Sequence, residues 1–225
     1  MALTDDVARY YAARAEVYDA SAGYMDALAE QLREPIKTRF QEALRGYDVL
    51  EIACGTGYWT EVIAVAARSV LATDIDPGMI SLARSKLGSV GNVRCEVADA
   101  YTLNGVHGCF TAAFSHWWWS HVPKSRLREF LSVLHKKLTP GALVVFADQL
   151  LYEWADRRRD QEGNLLEHRT LRDGSRWEIV KNFPTEQEIA EQLAGLAAPF
   201  SYREYPEAGY WTLTYNTGGN RYQVA

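Results

Sequence analysis

Cysteine is scarce. Cys54, Cys95 and Cys109 are the three in 225 residues, and their spacing suits neither a metal site nor a Cys-x-x-Cys pair. An odd number cannot pair completely, and each falls in or beside an apolar segment. They are therefore expected to be reduced, buried small hydrophobes of a cytoplasmic protein. Positive charge is not in excess either: 24 Lys and Arg stand against 29 Asp and Glu, a net charge of -5. This speaks against the basic face that a nucleic-acid backbone or an anionic membrane requires. Long hydrophobic runs are missing. The first twenty residues carry Asp5, Asp6, Arg9, Arg14 and Glu16 with no apolar stretch, so neither a secretory leader nor a membrane span is expected. There is no Gly-x-Ser-x-Gly elbow and no His-Glu-x-x-His helix, which removes the commonest signals for serine-hydrolase and zinc-protease chemistry. No metal is expected.

The remainder is ordinary globular material, 48% hydrophobic and 24% charged, long enough for one continuous domain with a full core. Its organising stretch is Val49-Leu50-Glu51-Ile52-Ala53-Cys54-Gly55-Thr56-Gly57-Tyr58: an apolar strand, a tight turn with two glycines, and a helix start. Glycine takes positive φ without cost and lets the main chain come close to a ligand. In an open α/β sheet such a turn lies where ligands bind, beyond the carboxyl ends of the strands. A dinucleotide turn also wants a third glycine, and Thr60 stands at that position.

Two more strands end in acids. Val70 to Asp74 is followed by Ile75-Asp76-Pro77-Gly78-Met79-Ile80, a helix start with Asp76 as cap, and Val93 to Val97 runs into Ala98-Asp99-Ala100. An acid after the second strand can accept both hydroxyls of a ribose, in a nicotinamide or in a sulfonium cofactor alike. A fourth strand, Phe110 to Ser115, leads into His116-Trp117-Trp118-Trp119-Ser120-His121; a helix from Lys124 to Lys137, closed by Thr139-Pro140-Gly141, precedes a fifth, Ala142 to Asp148. Strict strand–helix alternation implies a parallel, doubly wound sheet. Upstream, Thr4 to about Arg33 reads as helix broken near Gly23, and a second helix follows Pro35. Downstream, a hairpin turns at Arg172-Asp173-Gly174, Thr185-x-x-Glu188 opens a last helix, and strands Phe200 to Tyr205 and Tyr210 to Tyr215 close the chain. Arg157-Arg158-Arg159 reads as a solvated face, with an anion site as the alternative.

Glu51-x-x-x-Gly55-x-Gly57, Thr73 to Ile80, and Asp99-Ala100, each after a successive strand, resemble the motifs of the class I S-adenosylmethionine-dependent methyltransferases. The resemblance covers most of the chain and is best from Val49 to Asp148. It implies a Rossmann-like α/β fold with a seven-stranded, mostly parallel sheet ending in an antiparallel hairpin. The expected layout is a single domain: an N-terminal helical lid over 1–45, a cofactor core over 46–148, and an insertion with the terminal helix and hairpin over 149–225. The implied cofactor is S-adenosylmethionine, yielding S-adenosylhomocysteine. Gly55 and Gly57 would lie by its methionine part with Glu51 bracing the loop, Asp74 and Ile75 by the ribose, Asp99 and Ala100 by the adenine, and Ser115 nearby. Tyr11 and Tyr18 would close over it as a lid, with helix packing as the competing role for these aromatics. His116 and His121 are the candidate catalytic groups, and Trp117, Trp119 and Trp154 the candidate acceptor contacts. The expected acceptor is a small, aromatic or apolar molecule bearing an O, N or C nucleophile. No nucleic-acid or membrane partner and a monomer or homodimer are expected. A non-catalytic S-adenosylmethionine-binding subunit and a nicotinamide oxidoreductase remain open as alternatives.

Overall fold

The computed structural model describes residues 3–153, 155–197 and 199–218. Five parallel strands and three helices set the frame, with no described helix between the third and fourth strands, where strict alternation was expected. β1 (Asp48–Ile52), β2 (Ser69–Asp74), β3 (Val93–Val97), β4 (Phe110–His116) and β5 (Leu138–Gln149) alternate with α4 (Tyr58–Ala64), α5 (Pro77–Leu87) and α6 (Leu127–His135). A β9–β10 hairpin (Phe200–Tyr205, Tyr210–Asn216) adds antiparallel to β5, giving among the described residues a seven-stranded sheet ordered β3-β2-β1-β4-β5-β10-β9. Strand order reverses between β1 and β4, which pair in parallel with Ile52 opposite Ser115. The crevice above that reversal is where such sheets bind ligands.

Alternation along the strands divides the core. Leu50, Ile52 and Leu71 face one apolar layer with Phe130, Leu131 and Phe146; Val49, Val70 and Ala72 face the other with Phe40, Trp59 and Ile63. Asp76 caps α5 by accepting from Met79 N at 2.8 Å with Pro77 in the first turn, and Thr185 and Glu188 form a capping box on α7 (Glu186–Leu193).

Four further expectations are corrected. A single helix, α3 (Ala27–Ala43), runs through Pro35, which was expected to start one. Arg33, Ile36 and Phe40 lie buried along it and Leu44 just beyond it, at helical spacing. Burial of that face outweighs the roughly 3 kcal/mol that an interior proline costs. Thr139-Pro140-Gly141 lies inside β5 rather than ending a helix: pairing with β4 steps from Phe110–Leu138 to Ala112–Leu143, so the segment is taken up as a bulge. Arg157-Arg158-Arg159 is an extra strand, β6. It pairs with β7 (Leu165–Thr170), and β7 with β8 (Arg176–Val180), to make a separate three-stranded antiparallel sheet. Arg157 is mostly buried and its Nε donates to the fully buried Glu167 at 2.7 Å, so this part of the triplet is an internal ion pair rather than a solvated face. Cys109 is exposed, unlike Cys54 and Cys95.

The small sheet carries the N-terminal helices. Val7 and Tyr10 of α1 (Leu3–Arg14) pack on Leu166, Ile179 and Val180, and Arg9 lies 5.5 Å over the Trp177 ring. α1 therefore lies against the insertion, beside the carboxyl ends of the main strands. No described helix is long and apolar enough to cross a membrane.

At the heart of the frame, Gly57 has φ +83, and a Cβ there would fall 2.8 Å from Leu87 Cδ1 and 3.2 Å from Ala83 Cβ. Close packing of the turn on α5 thus requires glycine. Gly57→Ala is expected to cost about 1–3 kcal/mol, read as a lower denaturant midpoint; an unchanged midpoint would show that the turn tolerates a side chain.

Candidate functional site

A cavity of about 230 Å³ opens over the strand-order reversal. Its floor comes from four strand ends: Ala53 and Gly55 after β1, Asp74 to Asp76 after β2, Ala98 to Tyr101 after β3, and His116 to Trp118 after β4. Its roof is Val7, Ala8 and Tyr11 of α1 with Tyr18 of α2 (Tyr18–Ser21). Tyr10 takes the packing role and Tyr11 and Tyr18 the cavity role, dividing the two expectations for these aromatics between neighbouring residues.

One carboxylate sets the floor. Asp74 Oδ2 accepts from Gly55 N at 2.9 Å and Oδ1 from Asp76 N at 3.0 Å, so β2 fixes both the glycine turn and the start of α5. Gly55 sits at φ +56, and a Cβ there would meet only Tyr18, at 3.9 Å; the space above it is open to a ligand. Asp99 Oδ1 caps its own turn by accepting from Tyr101 N at 2.8 Å.

Trp117 organises the far wall. It has φ +59, an uncommon conformation for a bulky residue, and its N–H donates to Ala147 O at 2.9 Å. Leaving the extended region breaks the strand's alternation, so His116, Trp117 and Trp118 all line the cavity. Trp119 instead turns into the core against Phe146 and Trp211, which corrects its expected acceptor contact. Trp117 stacks on Tyr24 and Tyr210, at 5.7 and 5.9 Å between ring centroids.

The two histidines differ. His116 is 7% exposed, lies 4.3 Å from the Trp59 ring, and neither ring nitrogen has a protein partner. Burial drives its pKa well below the usual histidine value, and Arg33 and Lys181 push the same way. His121 Nδ1 lies 2.7 Å from Val180 O and Nε2 2.8 Å from Tyr11 Oη. A carbonyl only accepts, so Nδ1 carries the proton; burial and Lys181 keep the ring neutral, leaving Nε2 to accept from the Tyr11 hydroxyl. Burial in turn raises the Tyr11 pKa, keeping that hydroxyl protonated.

Of the expected site residues, Tyr11, Tyr18, Gly55, Asp74, Ile75, Asp99, Ala100, His116, Trp117 and His121 meet at this cavity. Four do not line it. Glu51 is buried beneath the turn, where desolvation pushes its carboxyl up to about 8. Gly57 faces α5. Ser115 Oγ donates to Ile52 O at 2.9 Å, tying β4 to β1, and Trp119 is core. Trp154 lies outside the described residues. Met79 and Trp118, which lie in the quoted motif segments without an expected site role, also line the cavity, as do Tyr101 and Arg126, which no motif marks because they reach it from a turn and a helix start.

A family model described as "Methyltransferase domain" matches residues 49–141. The solved structure of a DhpI–SAM–HEP complex is 32% identical and superposes with a TM-score of 0.76 over 95% of this chain and 97% of that one. A malonyl-[acyl-carrier protein] O-methyltransferase of Serratia marcescens is 26% identical, over 85% of this chain and 78% of that protein. One of the same name from Priestia megaterium is 27% identical, over 59% of this chain; the match spans only 47% of that protein's length.

Asp74→Ala is expected to weaken binding of S-adenosylmethionine by about 1.5–3 kcal/mol, measured calorimetrically; unchanged affinity would remove Asp74 from the ribose site.

Proposed function

The chain belongs to the class I S-adenosylmethionine-dependent methyltransferases, and on that premise we propose that it transfers the sulfonium methyl group to an ionised oxygen of a small-molecule acid. The cavity suits the cofactor: the open face of Gly55 leaves room for a ligand against the main chain, and Asp74 and Asp99 stand at successive strand ends. In this reading Asp74 holds the ribose, Asp99 accepts from the adenine amine, and Tyr11 and Tyr18 cover the bound molecule. S-adenosylmethionine supplies an electrophilic methyl group, which leaves an oriented nucleophile and the exclusion of water as the protein's tasks.

The observation that carries the acceptor class is the state of the histidines. Both are neutral, with pKa values driven down by burial and by cations, so neither is a strong base. An alcohol or phenol would need one; a carboxylate or similar oxyanion arrives already ionised. His116 has an unpartnered ring N–H to offer such an oxygen, and the Tyr11 hydroxyl, held by His121, lies on the same cavity. The buried Arg33 guanidinium lies close enough to the His116 end of this wall to favour negative charge on the acceptor. The largely aromatic walls of the cavity fit an apolar body on that acid. The names of the Serratia and Priestia relatives, O-methyltransferases of a malonyl group, favour oxygen as the acceptor atom.

The test is a panel of small acids, phenols and amines assayed for methylation, with a pH profile for any that turns over. The proposal expects acids to react without a tenfold rise in rate per pH unit from about pH 7 to 9, since neither histidine acts as a base that must be deprotonated there. His116→Ala is expected to lower turnover with little change in cofactor affinity. A rate rising tenfold per pH unit through this range, or turnover of phenols alone, would overturn the acid reading.

A further inference from the structure

Among the described residues, the N-terminal helices meet the body of the protein through the Tyr11–His121 bond, through Gly23 and through Asp19. Arg33 of α3 is 4% exposed and donates from both Nη1 and Nη2 to Gly23 O at 3.0 Å, while Gly23 itself has φ +71. Asp19 lies on α2. One of its carboxylate oxygens accepts from the Thr56 hydroxyl, and the other lies 2.7 Å from Lys86 Nζ on α5. Thr56 is the residue between Gly55 and Gly57, and it is itself buried.

We propose that Asp19 is a positioning residue for the cofactor. Through Thr56 it ties the covering helices to the glycine turn, so that closing over the ligand and setting the turn's conformation are one event. The inference rests on the reading that α1 and α2 cover bound S-adenosylmethionine. Three features support it. The turn has one brace from below, Asp74 to Gly55 N, and one from above, Asp19 to Thr56 Oγ1, on adjacent residues of the same loop. Gly55 and Gly57, on either side of Thr56, both hold positive φ, and the two carboxylates add to the backbone bond from Gly57 N to Cys54 O at 3.1 Å in holding the loop. Of Asp19's two partners, the buried hydroxyl contributes more. The Lys86 pair is about a third exposed on both sides, where ion pairs are worth little. Tyr18, the neighbour of Asp19, stands over Gly55 at 3.9 Å from where a Cβ would be, so releasing Asp19 also releases the aromatic cover of the turn. Because coupling between sites is reciprocal, a ligand held against Gly55 holds Asp19 in place.

The experiment is a rapid-mixing measurement of S-adenosylhomocysteine release from the full-length protein and from variants that bind it, with trypsin cleavage after Arg14 as a second readout. Asp19→Asn and Thr56→Val are each expected to speed release by about tenfold, the loss of one charged hydrogen bond. Their double variant should be no faster than either alone, because both remove the same bond. Thr56→Ser, which keeps the hydroxyl, should behave as wild type, and Lys86→Ala should change release by less than about threefold. Bound S-adenosylhomocysteine should protect Arg14 from trypsin in the wild type and fail to do so in Asp19→Asn, with thermal midpoints unchanged. Release unchanged in Asp19→Asn and Thr56→Val, or effects that multiply in the double variant, would overturn the proposal while leaving the cofactor reading intact. A wild-type protein that binds neither S-adenosylmethionine nor S-adenosylhomocysteine would overturn both.

Discussion

The site depends on one carboxylate, Asp74, held at the end of β2 by parallel pairing on both sides. Its oxygens accept from the N–H groups of Gly55 and Asp76, so the turn after β1 and the helix start after β2 are set by the same group. A strand end is rigid and a glycine turn is not. The bonds transfer the order of the sheet to a glycine turn that lines the cavity. Burial raises the Asp74 pKa, and the Asp76 and Gly55 backbone donors offset only part of that rise.

Around that floor the cavity is closed by parts that are distant in sequence. The insertion sheet holds α1 through an apolar contact, and α1 delivers Tyr11 to His121, whose other nitrogen is tied back to β8 at Val180. Helix, post-β4 segment and insertion are thus joined by one hydrogen-bonded chain whose direction is fixed by a carbonyl that can only accept. The same closure desolvates the histidines and removes them as strong bases. An acceptor that arrives already ionised, as proposed, needs no deprotonation by either histidine.

Much of this was legible in the sequence because the signals are local. Strand ends carrying Glu51, Asp74 and Asp99, glycines at 55 and 57, and the Asp76-Pro77 cap each act within a few residues of themselves, and the order of the sheet follows from their alternation. What was not legible depends on tertiary context. Pro35 stays inside α3 because a buried face outweighs a lost hydrogen bond. The strand formed by Arg157-Arg158-Arg159 exists because Glu167 is placed opposite it, which no property of three arginines announces. The roles of Trp117 and Trp119 turn on a single positive φ that composition cannot reveal, and Gly57 serves packing on α5 rather than a ligand.

The cavity is expected to take a sulfonium nucleoside and not a dinucleotide, although both share the ribose that Asp74 would hold. Calorimetric titration of the protein with S-adenosylmethionine, S-adenosylhomocysteine and NADH in parallel tests it most directly. Heat is expected from the first two and none from the third; binding of NADH with no response to either S-adenosyl compound would make the cavity a dinucleotide site instead.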